Sequence, residues 1–431
     1  MGGRGITLLD LNFVAFLVYY SKFICLTTFY YRLFMKTYLF AISFFTIFVI
    51  FAGCGKPKAE DCGGGSCAIP GAVQDADAKS TASNDVSSDT ISGALEWLAS
   101  QQKEDGSFSN PDFPAMTAFA MQAMYMSGNT KYAPNVDKAV EFILSRVQSD
   151  GGIYKKNPNR KGGGLSNYNT AICMTALSKL QRKELTTTLL NARTFMAKAQ
   201  ELNDNVFKGG FGYDSDSDRA YADLSNTSYA LEAMRATQSL EDERGEDGQK
   251  ADLNWEAALK FVEGLQNDPD SGENNAGGFF YTYNDPKAGT ETNTVQTATG
   301  TEERIVFRSY GSVTYQGLMS MIYCQLPKHD PRVISALSWA GKHWTLDENP
   351  GSGQQGVYFF YNVVSRALVA AQVAEINTAT AGTVNWRDAM SRKFLSLQQE
   401  DFSWINENAR FMENDPVLVT SYVLIALYTA Q

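Results

Sequence analysis

The sequence predicts an all-α chain of six helix pairs, and three observations carry the prediction. A two-part phrase recurs six times from residue 91 onward, its second part opens on threonine in five of the copies, and small residues follow each opening at steps of three. Helix pairs that cannot bury their apolar faces alone must either stack into an open superhelix or close into a ring. Six pairs is the number that closes an (α/α)6 toroid, with the second helix of each pair inside.

The first helix of each pair carries an aromatic residue three positions after a small one: Ala94/Trp97, Ala139/Phe142, Ala192/Phe195, Ala258/Phe261, Ala336/Trp339 and Ser391/Phe394. A polar residue follows one turn later. Gln101, Gln200, Gln266 and Gln398 fill that slot, with Arg146 or Gln148 in the second copy and His343 in the fifth. Next comes a glycine-rich turn ending in an aromatic, as in EDGSF (104–108), DGGIY (150–154), GGFGY (209–213), AGGFF (276–280) and QGVYF (355–359); the sixth turn, EDFSW (400–404), has lost its glycine. Thr117, Thr170, Thr227, Thr314 and Thr420 then open the second helices, and Val364 is read as the opening residue of the fifth copy. Ala120, Cys173, Ala230, Gly317, Ala367 and Val423 stand three residues on, where small side chains let neighbouring helices approach. The one long spacing, between the third and fourth copies, contains the polar stretches 238–254 and 284–307, which read as loops.

The amino terminus has a different composition. Residues 35–53 form a signal peptide with Lys36 as the charged start, an apolar centre, and Phe51-Ala52-Gly53-Cys54 as the cleavage region. That tetrapeptide resembles the bacterial lipobox, which implies lipidation of Cys54; an uncleaved membrane anchor is the alternative. Residues 1–34 are either an extra hydrophobic segment or are never translated, since a complete signal starts at the internal Met35. Residues 54–90 have the Gly, Ser, Ala and Asp content of a flexible tether, with Cys62 and Cys67 spaced for a small disulfide loop. Residues 91–431 are the globular part. The expected location is a bacterial cell envelope, with the toroid outside the cytoplasm.

Thirty-seven basic against 47 acidic residues give a net charge of −10 with no basic tract, which excludes nucleic acid as a partner. Two histidines leave no room for a His-rich metal centre. The acidic string 214–218 fails the EF-hand pattern, because Arg219 and Ser225 stand where glycine and glutamate are needed. It reads as a solvated turn, with a different calcium loop as the alternative. No phosphate-binding glycine loop, nucleophile elbow or HExxH is present, so neither a cofactor nor a metal is expected.

QQKEDGSF and its relatives resemble the QW-type repeats of terpenoid cyclases and protein prenyltransferase β subunits, which share the α/α toroid. The resemblance spans residues 91–431 and implies an apolar, isoprenoid-type ligand in the central cavity, with cyclase or transferase chemistry as its catalytic form. Class II cyclases use a DxDD acid before an inner helix. Asp223-Leu224-Ser225-Asn226 keeps only the first carboxylate, which makes Asp223 the candidate catalytic acid, or else an N-cap. At the positions matching the prenyltransferase zinc ligands stand Tyr310, Ser312 and Asn362, none of them an equivalent ligand.

Polar and aromatic residues ahead of the inner helices are the candidate ligand-binding set: Tyr168, Arg308, Tyr310, Tyr361, Asn362, Arg366 and Asp415, with Asp112 and Glu413 beside them. Unpaired amides at the inner-helix N-termini favour an anionic or hydroxyl-rich ligand there. An apolar small molecule or lipid is the expected partner, together with a membrane through the lipidated terminus. Two other classes stay open: a glycan hydrolase or lyase using paired carboxylates from Asp112, Asp223, Glu413 and Asp415, and a non-catalytic envelope scaffold with an exposed apolar patch.

Overall fold

The computed structural model describes residues 88–157, 164–215, 217, 219–245, 248–297 and 300–431. The chain divides into two compact units, Met1–Lys79 and Ser80–Gln431, and all described residues belong to the second. The signal peptide, Cys54, Cys62 and Cys67 therefore lie outside the described residues, as do Asp216 and Asp218.

Twelve α-helices form in the described residues, in alternating outer and inner order. The outer helices are α1 (Ser88–Ser100), α3 (Ala133–Leu144), α5 (Thr186–Ala199), α7 (Trp255–Gly264), α9 (Pro331–Lys342) and α11 (Trp386–Leu397). The inner helices are α2 (Pro114–Met126), α4 (Ser166–Lys179), α6 (Leu224–Ala236), α8 (Gly311–Tyr323), α10 (Val357–Ala370) and α12 (Pro416–Ala430). Inner helices pack α2 on α4, α4 on α6, α6 on α8, α8 on α10, α10 on α12, and α12 back on α2. The ring is closed. Inner helices bury nearly every residue of their first ten, whereas outer helices bury a single stripe, as amphipathic helices on the rim must.

The repeat threonines explain why the phrase recurs. Thr117, Thr170, Thr227, Thr314 and Thr420 each accept, through Oγ1, a hydrogen bond from the backbone N–H of an aromatic or aliphatic residue in the preceding turn: Phe108, Ile153, Phe211, Phe279 and Trp404, at 2.8–3.1 Å. The hydroxyl satisfies a buried amide that no regular element could pair. Glutamines then stitch one repeat to the next. Gln102, Gln200 and Gln266 donate to the backbone carbonyls of Asn135, Asn254 and Arg332 at the start of the following outer helix. Gln398 donates to Thr90 O in α1 and so joins the last repeat to the first. In the first copy the residue doing this is Gln102 rather than Gln101, whose amide bonds only Ser100.

Glycine at positive φ lets the turns touch the next outer helix. At Gly209 (φ +97) a Cβ would lie 1.9 Å from Ala257 O. The sixth turn has Phe402 in that place, itself at φ 71, and its ring lies over Gly93 of α1, where a Cβ would meet it at 2.5 Å. The glycine has moved to the other side of the ring-closing contact.

Three expectations are corrected. The polar stretch 284–307 contains an antiparallel hairpin, β1 (Thr290–Thr297) with β2 (Gly300–Phe307), because its alternating Thr and Val favour extended pairing. A second small hairpin, β3 (Ile376–Thr378) with β4 (Gly382–Val384), packs on α9. Within 238–254, Gln238–Glu243 is a 3-10 helix. In the fifth copy, Val357–Phe359 of QGVYF already belong to α10, so Val364 is its eighth residue, whereas the repeat threonines are fourth or fifth in their helices. There Tyr361 Oη takes over the turn-holding role by donating to Leu346 O at 2.6 Å. The first outer helix begins at Ser88, three residues before the repeat pattern becomes visible.

Candidate functional site

A cavity of about 230 Å³ opens where the six inner helices begin. Each contributes residues of its first two turns or the residue before it: Phe113 and Met116 from the α2 end, Leu165 and Tyr168 from α4, Asn226 and Tyr229 from α6, Tyr310 and Ser312 from α8, Phe359 from α10, and Leu418 and Tyr422 from α12. Tyr213, Tyr281 and Lys287 complete the wall, and the exposed Phe411 and Met412 form part of the rim. No Asp, Glu, His or Cys lines the cavity among the described residues.

Its lower end is closed by aromatic rings. Phe119 meets Tyr422 edge-on at 5.1 Å, Tyr168 meets Tyr229 edge-on at 5.7 Å, and Phe359 bridges Tyr229 and Tyr422 at 6.5 and 6.1 Å. Below this floor lies a pocket of about 10 Å³, room for about one water. Glu232 of α6 and Arg366 of α10 form an ion pair beside it, across the lumen. Arg366 also reaches Asn362 Oδ1 at 3.4 Å, and its guanidinium lies 5.8 Å from the Tyr229 ring centre. Burial pulls the Arg366 pKa below its usual value.

The inner-helix N-termini, expected to offer free amides, are capped by protein instead. Ala115 N–H donates to Asn169 Oδ1, Ser166 N–H to Asp214 Oδ1, Asn226 N–H to Asp223 Oδ1, Ser312 N–H to Asn349 Oδ1, Phe359 N–H to Glu413 Oε1, and Val417 N–H to Asp415 Oδ1, at 2.7–3.1 Å. Most caps reach forward to the next repeat, and Asp415 continues round the closure through Ser109 Oγ. Four of the six caps are carboxylates, matching the positive ends of the helix dipoles. The anion-binding capacity expected at the mouth is thus consumed by the fold.

This assigns the sequence candidates to different places. Tyr168 and Tyr310 line the main cavity; Asn362 and Arg366 line the small pocket below its floor. Tyr361 points outward, packing edge-on against Phe394 of α11 at 5.5 Å, and borders a separate surface groove. Arg308 is half exposed beyond the hairpin, paired with Glu291 at 3.2 Å. Asp415 caps α12, Glu413 is buried capping α10 while also accepting from Asn406 Nδ2, and Asp112 pairs with Lys155 on the surface. The acidic string contributes Asp214 as the cap of α4. No cluster of three or more metal-ligating side chains occurs among the described residues.

Asp223 is fully buried and is the N-cap of α6, but it stands behind the cavity wall rather than in it. Its Oδ1 accepts from Asn226 N–H at 2.8 Å and its Oδ2 from Asn226 Nδ2 at 2.7 Å. Burial pushes its carboxyl up to about 6 against the pull of these hydrogen bonds and those from Tyr281 and Tyr221. Tyr213 and Tyr281, whose hydroxyls are 3.0 Å apart, lie between this carboxyl and the cavity. Burial likewise pushes the Tyr213 phenol up to about 12.

Sequence reasoning missed Asn226, Tyr229, Tyr422 and Phe119. A signal for the last three was present: the residue two after four of the five repeat threonines faces inward, as Phe119, Ile172, Tyr229 and Tyr422 show.

No protein-family profile and no curated protein matches the chain. Among solved structures it is similar to an inactive variant of the alpha-1,6-mannanase GH76A of Salegentibacter sp. HEL1_6 in complex with alpha-1,6-mannotriose, at 14% identity and TM-score 0.49, over 80% of this chain and 99% of that one. It is also similar to the type II terpene cyclase MstE from Scytonema, at 12% identity and TM-score 0.46, over 80% and 97%. A protein from Actinoplanes gives 12% identity and TM-score 0.42, over 79% and 98%. Likeness at this level bears on neither substrate nor chemistry, and ring closure rests on the chain's own helix contacts. Fold and site together define a closed α/α toroid whose main cavity is lined largely by aromatic residues and, among the described residues, by no carboxylate.

Proposed function

We propose that this protein is an envelope-anchored toroid that binds one apolar, isoprenoid-type molecule in its central cavity. The observation that carries the reading is the lining: mostly tyrosine, phenylalanine, methionine and leucine, with Lys287 and a few serine and asparagine side chains but no carboxylate, at a mouth whose helix amides are already capped. A cavity of about 230 Å³ suits a short isoprenoid or the end of a longer one that leaves by the mouth. Anchoring through lipidated Cys54 and the tether between it and α1 would keep the toroid near a membrane source of ligand.

Cyclase or transferase chemistry is the extension of this reading, and Asp223 could serve it only through Asn226 or the tyrosines in front of it. Glycan hydrolysis lacks its acid pair here: Asp112, Glu413 and Asp415 are committed to surface pairing or capping, and none lines the cavity. A thermal-shift panel tests the proposal on the purified chain. Geraniol and farnesol are expected to raise Tm, while short mannan and glucan oligosaccharides leave it unchanged; the opposite pattern would overturn the reading.

A further inference from the structure

We infer that the cavity selects a ligand carrying one uncharged hydroxyl, which donates a hydrogen bond to the side-chain oxygen of Asn226. The inference rests on the apolar-ligand reading above and deepens it. Asn226 lies in the first turn of α6, 3% exposed, within the cavity wall. Its Nδ2 donates to Asp223 Oδ2, and Asp223 is outside the lining. A carboxylate accepts and cannot donate, so this bond fixes which way the amide points. The atom left over is Oδ1, and it is buried with no hydrogen-bond partner. A buried acceptor in that state strongly favours any ligand able to donate to it.

Two donors are conceivable, an ammonium and a hydroxyl, and the surrounding charges choose between them. Lys287 lies in the wall with its ammonium 4.9 Å from the Tyr281 ring centre, and Arg366 faces Tyr229 from below. The two rings in the wall that face a charge, Tyr281 and Tyr229, thus already hold the chain's own cations, whose like charge disfavours a ligand ammonium. An anionic head fares no better, because Lys287 is paired with Asp285 at 2.6 Å and the helix N-termini are capped. Ser225, beside Asn226 in the wall, uses its proton on Gln316 Oε1 at 2.7 Å and keeps its oxygen available as a second acceptor. A neutral hydroxyl on an apolar body fits all of these groups.

The test titrates the full chain, at a pH well above the Asp223 value of about 6, with geraniol, geranyl methyl ether, geranylamine and geranyl diphosphate. Geraniol is expected to bind about tenfold more tightly than its methyl ether, which keeps the body and the oxygen but carries a methyl in place of the donated hydrogen. Asn226→Ala should erase that ratio while leaving the ether's affinity within about twofold. Equal binding of alcohol and ether to the unmodified chain overturns the anchor and leaves the apolar cavity standing. Tightest binding of the amine or the diphosphate overturns the neutral-head assignment. Failure of all four to bind overturns the anchor and the cavity reading together. If Asn226→Ala does not fold, the ratio measured on the unmodified chain decides alone.

Discussion

Arg193 and Arg366 are both buried guanidiniums paired with a glutamate, yet they sit in opposite kinds of surroundings. Arg193, in the outer wall on α5, donates to Glu241 Oε1, Met234 O, Thr237 Oγ1 and Ala251 O at 2.6–2.9 Å. Arg244 binds the same glutamate, and although burial pushes Glu241 up, the hydrogen bonds from Arg244 and Arg193 outweigh it and hold its pKa at about 2. Arg366 has Glu232, a long contact to Asn362, and a pocket beside it. A charge whose bonds are nearly all filled by its own chain fastens the fold, here the insertion between the third and fourth repeats. One with bonding capacity left over beside a cavity borders a place meant to be filled. The same distinction separates the saturated helix caps from Asn226, whose Oδ1 is unpaired.

The comparison breaks first at Arg193. Arg193→Met leaves Glu241 buried with one partner fewer and several carbonyls unpaired, and should cost about 3–5 kcal/mol in urea unfolding. A loss under about 1 kcal/mol would show that the outer network is ornamental to stability.

Next comes pH. The Asp223 carboxyl rises from 3.8 to about 6 on folding, so the folded chain holds this proton more tightly than the unfolded one. The stability it contributes is complete below about 3.8 and is lost as pH rises through about 6, an effect of about 3 kcal/mol. Glu241 has the opposite sign: its contribution is present above 4.5 and lost as pH falls through about 2. Unfolding free energies of the unmodified chain and Asp223→Asn should therefore diverge between pH 4 and 7, with the variant losing less; parallel curves would refute the buried-acid assignment.

A smaller effect is expected where the ring closes. Gly93→Ala places a methyl against the Phe402 ring, and overpacking there should cost about 1–2 kcal/mol, moderated because Phe402 is partly exposed and can shift. Smallest is the joint replacement of Arg366 by Met and Glu232 by Gln, expected to change stability by less than about 1 kcal/mol, since removing both members of an imperfect buried pair recovers their desolvation. A large loss would place that pair with Arg193 as a fastener.

Much of the ring was legible because its local rule repeats. Threonine at one register and small residues at the next two announce an inner helix, and five of six copies obey. In the fifth, the end of QGVYF already belongs to the helix and Val364 lies three or four residues too far along it, because Tyr361 does by a side-chain-to-carbonyl bond what threonine does elsewhere. The Arg193 network was invisible, since two of its partners, Glu241 and Ala251, come from a polar insertion whose folding leaves no periodic trace. Asp223 could be picked from its place before α6, but spacing cannot say that its carboxyl turns away from the lumen and that Asn226 stands in front. Caps and candidate ligand residues share the same few types at the same positions, and only their hydrogen bonds tell them apart.

The central claim is an apolar ligand in the lumen, and native mass spectrometry of the purified chain, followed by organic extraction of whatever is released, tests it most directly. A stoichiometric isoprenoid, lost on placing a charge in the wall by Tyr229→Glu in a variant that still melts cooperatively, is the predicted result. An isolated protein that carries nothing, and that takes up no isoprenoid when supplied with excess, would contradict it.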